Sequence, residues 1–245
     1  MSSRRIYRDW VAGDELVSGT VTIDSTDLQV STRGDLRREA LASATRHRQD
    51  VESYIRSHPR FVTTLQPCDV DAGAPAVVVA MAAAARIAGV GPMAAVAGAI
   101  AEAVGMDLLK HSDEVVVENG GDVFIATRVG RTVALYAGQS ILTGRIGLAI
   151  EPADSPVGVC TSSGTFGHSL SLGGADACTV IARSAAVADA LATSLCNRIR
   201  SASDLARVLD PEHLPAEALG VLAVAGGQVG IHGAIRLVPL DVAGR

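Results

Sequence analysis

Ala94-Ala95-Val96-Ala97-Gly98-Ala99-Ile100-Ala101-Glu102 recurs later in the chain as Ala185-Ala186-Val187-Ala188-Asp189-Ala190-Leu191-Ala192-Thr193. Each copy is followed by a β-like run with a Gly-Gly pair. Val115 to Val117 leads into Asn119-Gly120-Gly121-Asp122-Val123, and Val221 to Val224 into Ala225-Gly226-Gly227-Gln228-Val229. The repeating unit reads as helix, strand, Gly-Gly turn, strand. It predicts an α+β chain, internally duplicated, in which two helix-plus-antiparallel-sheet halves pack together. Residues 1–245 then form a single domain with pseudo-repeats at about 76–140 and 176–240. The copies differ in polarity: Gly98 stands where Asp189 stands, and Glu102 where Thr193 stands. One half reads as scaffold and the other as the carrier of polar ligands.

Composition sets limits on this reading. Apolar residues make up 48% of the 245 positions while aromatics are only 3%, so the core must be built from Ala, Val, Leu and Ile. The 25 glycines allow helices and strands to approach closely. With a net charge of -5 and basic residues interleaved with acids, the chain offers no nucleic-acid surface. The N-terminus, Met1 to Trp10, lacks the apolar region and cleavage site of a signal peptide, and a cytoplasmic home is the expectation. Cys68, Cys160, Cys178 and Cys196 show neither a C-x-x-C pair nor zinc-ligand spacing, so they read as structural thiols. The apolar run Ala74 to Val104 is divided by Arg86 and by Gly89-Val90-Gly91-Pro92, and neither piece reaches the roughly 18 residues of a membrane span. The many Ala-rich faces make a homodimer an expectation as well.

Along the chain, Val17 to Ser31 predicts two short strands around Asp24-Ser25-Thr26-Asp27, and Asp35 to Ser57 an amphipathic helix with Asp35 placed to cap it. A helix from about Ala76 to Ile87 stops at Gly89, and Pro92 opens the next, which runs to about Val104. Glu114 to Tyr136 predicts two or three strands, Ile146 to Ile150 and Gly158 to Thr161 one each, and Thr161 to Gly174 a long loop. The second copy of the helix spans about Ser184 to Arg200, followed by a polar excursion and a last strand pair, Gly220 to Ala225 and Gln228 to Pro239.

Three constellations carry candidate chemistry. The helix around Asp189 is apolar on nearly every side, so a carboxylate there needs a cation, a donor network or solvent. Thr193 and Asn197 follow at successive four-residue steps and stack on the same helix face. A hard cation such as Mg²⁺ would suit this Asp and Thr, while pairing with an arginine or a watery groove would serve equally. Cys160-Thr161-Ser162-Ser163-Gly164-Thr165-Phe166-Gly167-His168-Ser169 offers hydroxyls and backbone N–H groups to a phosphate, with His168 placed to donate to or orient it. The same loop could simply cap its own backbone. Asn119-Gly120-Gly121-Asp122 is either a hairpin turn or a loop that lets a ligand approach.

With these residues in view, the chain resembles the ApbE-like superfamily, whose best-known members are Mg²⁺-dependent FAD:protein FMN transferases. The family's D-L-G-A-I-A-K-G-Y-A-V-D stretch is similar to Gly91 through Glu102, and its Gly-Gly-Asp turn to Gly120-Gly121-Asp122. Its T-S-G, downstream His and A-D-A-L-[SA]-T-A-L are similar to Thr161 to Gly164, His168 and Ala188 to Leu195. The resemblance implies an ApbE-like fold and a Mg²⁺ held by Asp189, Thr193 and the backbone carbonyl near Ala95, beside an FAD pyrophosphate. It also implies a flavin site built from Asn119, Gly120, Gly121, Asp122, Thr161, Ser162, Ser163, Gly164 and Thr165, with His168 as the catalytic residue. FMN would move from FAD to a hydroxyl of an acceptor protein.

The chain departs from that pattern where Ala97 replaces the family Lys, Glu102 replaces an Asp, and no acid or proline follows His168. Its motifs are closest to a cytoplasmic branch linked to sulfide assimilation into homocysteine. The alternatives are therefore a non-transferase accessory factor in sulfur assimilation, with Cys160 as its candidate thiol, or an enzyme that uses the pocket for another phosphorylated ligand.

Overall fold

The computed structural model describes residues 15–138, 140–164 and 173–240. Strands β1 (Val17–Ile23) and β2 (Thr26–Thr32) form a hairpin whose turn holds Asp24 at φ 49°, a conformation its short polar side chain tolerates. Three helices follow: α1 (Arg37–Ser57), α2 (Pro59–Thr63) and α3 (Ala76–Ala88). At the start of α1 the N-cap residue is Leu36, but Asp35 still accepts the Arg37 N–H at 3.2 Å. The left-handed Gly89, at φ 68°, ends α3. A 3-10 turn over Pro92–Ala95 then leads into α4 (Val96–Leu108).

Next come β3 (Val115–Asn119), β4 (Asp122–Ala126), β5 (Arg131–Ala134), β6 (Ile146–Ile150), β7 (Val157–Ser162) and β8 (Ala177–Ala182). Helix α5 (Ala185–Arg198), the short α6 (Leu205–Val208), β9 (Gly220–Ala225), β10 (Gln228–Gly233) and β11 (Leu237–Pro239) complete the order. The two Gly-Gly pairs make matching turns: Gly120 and Gly121 lie at φ 69° and 108°, Gly226 and Gly227 at 54° and 77°. Two successive positive φ angles are what a two-residue hairpin loop requires.

The eight strands β1-β2-β3-β4-β7-β8-β9-β10 form one sheet in which every neighbouring pair is antiparallel, and β11-β6-β5 form a second. The fold is α+β, with helices on one face of the large sheet and the small sheet on the other. Val115, Val117, Phe124, Cys160, Cys178 and Val180 face the helices, where they join Val78, Met81, Ile100, Val104, Leu191 and Leu195. Val116, Val123, Ile125, Val157 and Val159 meet Val133, Leu148 and Ile150 of the small sheet. A sheet covered on both faces needs continuous apolar runs, which explains Val115-Val116-Val117.

Two features depart from the sequence expectations. Ala177–Ala182, expected as no particular element, is the fully buried strand β8, and the last expected strand divides at Gly233 so that β11 crosses to pair with β6. Small residues then set the helix–sheet distance. A Cβ on Gly105 of α4 would come within 2.2 Å of the Phe124 ring, so the largest fully buried side chain seats in the groove that this glycine leaves.

Candidate functional site

The site grows from the junction of α4 and α5. The N-cap residue of α4 is the buried Ala95, whose side chain accepts nothing, so the helix's first N–H groups need an outside acceptor. Asp189, in the second turn of α5, provides it. Its Oδ2 accepts the Gly98 N–H at 2.8 Å, and the Ala97 N–H acts on the same carboxyl. Helix α4 reciprocates through Glu102, whose Oε2 accepts from the Ser184 hydroxyl at 2.7 Å and the Ala186 N–H at 3.2 Å at the start of α5. Each helix thus caps the other with an acid from its own second turn. Gly98 makes the approach feasible, because a Cβ there would stand 2.3 Å from the Ala185 carbonyl oxygen and 2.8 Å from the Asp189 Cβ. No arginine is needed: the partner of Asp189 is a helix N-terminus.

The sheet contributes the other wall. Strand alternation puts Asn119, Asp122, Cys160 and Ser162 on the helix face, and the pairing of β4 with β7 sets the 119–122 turn beside the end of β7. Asn119 donates from Nδ2 to the Ala97 carbonyl at 3.0 Å, tying the turn to the first turn of α4. The turn itself is closed by Gly121 N–H donating to Glu118 Oε1 at 2.8 Å. Asp122 is 8% exposed and receives the Thr161 N–H and the influence of the Cys160 thiol, yet its Oδ1 has no hydrogen-bond partner. The Ser162 hydroxyl, 7% exposed, also has none.

Asn119, Ala95 and Asp189 therefore meet at the start of α4, Asp122 is close enough to Asp189 to feel its charge, Ser162 shares the helix-covered face of the sheet, and Thr193 lies buried one turn along α5 from Asp189. The other candidate residues have their own settings. The Thr161 hydroxyl sits on the opposite face of the sheet, bonded to the Thr179 hydroxyl at 2.8 Å. Gly164 is demanded by packing, since its Cβ would strike the Gly173 carbonyl oxygen at 2.0 Å. Gly120 is exposed and Ser163 half-buried. Thr165 and His168 lie outside the described residues.

Electrostatics mark the site. Burial pushes the Asp189 carboxyl up to about 7 against the lowering influence of the Gly98 and Ala97 N–H groups. Burial, and then the neighbouring Asp189, push Asp122 well above the usual carboxylate range. Burial first, and then Asp122 and Asp189, push the Cys160 thiol up, and its Sγ donates to the Ala185 carbonyl at 3.3 Å. Cys160 is thus an enclosed thiol whose ionisation is disfavoured.

A hard divalent cation fits this donor set. Two buried carboxylates lie near each other, and one oxygen of Asp122 and the Ser162 hydroxyl are unpartnered. Among the described residues no three His, Cys, Asp or Glu side chains gather as a metal-ligand group, so further ligands would have to be hydroxyls, backbone carbonyls or water.

A family profile described as AbpE bacteria matches residues 8–227. A UPF0280 protein of Methanocaldococcus jannaschii is 42% identical over 202 residues, spanning 80% of this chain and 82% of that protein. One from Methanopyrus kandleri is 46% identical over 189 residues, spanning 74% of each. Among solved structures, a flavin transferase ApbE from Vibrio cholerae superposes with a TM-score of 0.59 at 12% identity, covering 93% of this chain and 97% of that one. The ApbE protein of Thermotoga maritima gives 0.56 at 12% identity, covering 93% and 98%. At such identities the superpositions speak to the fold.

Proposed function

The chain belongs to the family described as AbpE bacteria, and on that premise we propose that it binds a flavin nucleotide, FAD or FMN, together with a divalent cation at the start of α4. The observation that carries this reading is the nearness of two buried carboxylates, Asp189 bound to the start of α4 and Asp122 with one oxygen unpartnered. Asp189 and Thr193 would hold the cation, with the Ala95 carbonyl as the backbone donor. A bound cation of this kind neutralises a pyrophosphate and acts as a Lewis acid on it.

The chain's own residues supply position. Asp189 is held by the Gly98 N–H of α4, which fixes the direction of its carboxyl. Gly120 and Gly121 have no side chain to obstruct a phosphate, and the positive φ angles that glycine tolerates leave the turn backbone open to it. Asn119, locked to the Ala97 carbonyl, holds that turn against the helix. With Ala97 where the resembling transferases carry Lys, a phosphate here relies on the cation and on backbone N–H groups.

Transfer of FMN from FAD to a hydroxyl of an acceptor protein is the activity proposed. The sulfur-assimilation alternative gains nothing from Cys160, whose enclosure opposes thiol chemistry. Titration of the purified chain with FAD and FMN, with and without Mg²⁺, tests the reading through flavin fluorescence and chromatography. The expected result is Mg²⁺-dependent FAD binding that Asp189→Ala abolishes in a folded protein, with slow release of AMP if transfer is retained. Failure of both flavins to bind would overturn it.

A further inference from the structure

Asp122 starts β4 on the helix face of the sheet, 8% exposed, with Oδ1 unpartnered. Cys160 lies opposite it on β7, and Ser162, two residues further along on the same face, is 7% exposed with its hydroxyl unpartnered. An orphaned buried oxygen is costly, and more so when charged, so two on neighbouring strands of one sheet face call for a partner. None of the ion pairs among the described residues reaches Asp122 or Asp189, although the fields of these two carboxylates act on each other. What is missing is therefore positive charge of small radius, with oxygen ligands.

We infer that Asp122 is a second carboxylate ligand of the cation and that Ser162 is a hydroxyl donor to it, so that the ion bridges β4 and β7 to α5 and binds before any nucleotide does. The inference rests on the cation reading proposed above. A divalent ion between two carboxylates balances the charge of that pair, which it would exceed with one. It also satisfies both orphaned oxygens in a single step. Six or more oxygen ligands are typical of Mg²⁺ and Mn²⁺, so Thr193 and the Ala95 carbonyl remain compatible with the same shell.

The test is Mn²⁺ binding by the full chain without nucleotide, followed by the loss of the free Mn²⁺ signal in electron paramagnetic resonance, with circular dichroism as the check on folding. Wild type is expected to bind, Asp122→Asn to bind about tenfold or more weakly, and Ser162→Ala a few-fold more weakly. Asp122→Ser, smaller and neutral, repeats the measurement should the asparagine variant fold poorly. Unchanged Mn²⁺ affinity in a folded Asp122 variant overturns the inference. If Asp189→Asn loses Mn²⁺ while Asp122→Asn does not, the cation reading stands and the role of Asp122 falls. If wild type binds no Mn²⁺ without nucleotide, this inference fails, and the separate FAD titration with Mg²⁺ decides the parent reading.

Discussion

The hairpin β3–β4 carries a buried acid near each end, and the two are treated in opposite ways. At the open end Glu114 is fully buried and fully paired: Oε2 accepts from Arg131 at 2.6 Å and from Thr127 Oγ1 at 3.0 Å, while Oε1 pairs with Arg33. Burial works to raise this carboxyl, but those donors hold it below its usual range. At the turn end Asp122, 8% exposed, meets another carboxylate rather than an arginine, and burial first and then Asp189 push it up. The same sheet therefore completes one acid internally and leaves an oxygen of the other without a partner. The difference separates an acid that holds the fold together from the one proposed above as a ligand.

The largest effect is expected from breaking the completed end. Arg131→Met leaves Glu114 short of its buried partner and should cost about 3–5 kcal/mol in urea unfolding. A loss below ~1 kcal/mol would show that Arg33 alone suffices. Next comes the same acid-to-amide change at each end, in chelator at pH ~8. Glu114→Gln should destabilise by about 2 kcal/mol through weaker hydrogen bonds, whereas Asp122→Asn should stabilise by ~1 kcal/mol by removing like-charge repulsion. Shifts of the same sign would erase the contrast.

The pH dependence sharpens it further. Asp189 has its folded value raised to about 7, so the folded state binds the extra proton, and metal-free protein gains stability as the pH falls from ~8 to ~5. Glu114, with its value lowered, contributes stability above its unfolded value that is lost as acid protonates it. Thermal melts should therefore show a maximum on the acid side of neutrality, and Asp189→Asn should flatten the alkaline limb alone. The smallest effect is expected at the reciprocal cap: Glu102→Gln should cost ~0.5–1 kcal/mol and leave Mn²⁺ binding intact, because Glu102 serves α5 and not the site.

Much of this was legible in the chain. The Gly-Gly pairs announced two-residue hairpins, Pro92 and Gly89 bounded their helices, and an acid in the apolar helix at Asp189 demanded a partner. Strand β8 was not legible, since Ala177-Cys178-Thr179-Val180-Ile181-Ala182 is buried on both faces and shows no alternation. Gly98 was a signal that went unused: a glycine inside a helical run marks a close approach, here that of Ala185 and Asp189. Thr161 and Ser162 look equivalent in sequence, but alternation sends one hydroxyl to Thr179 and turns the other to the helix-covered face, where it has no hydrogen-bond partner.

By itself, then, the sequence determined the elements, their α+β class and the identity of the polar groups, because periodicity, turn glycines and the cost of an isolated carboxylate are local properties. Which groups meet was decided only in three dimensions. Asp189 reaches Gly98 across 91 positions, and Glu102 reaches Ser184 across 82, through contacts that exist only once α4 and α5 pack on one sheet. Whether a buried acid is completed, like Glu114, or left open, like Asp122, depends on what the neighbouring strands and helices bring within hydrogen-bonding distance.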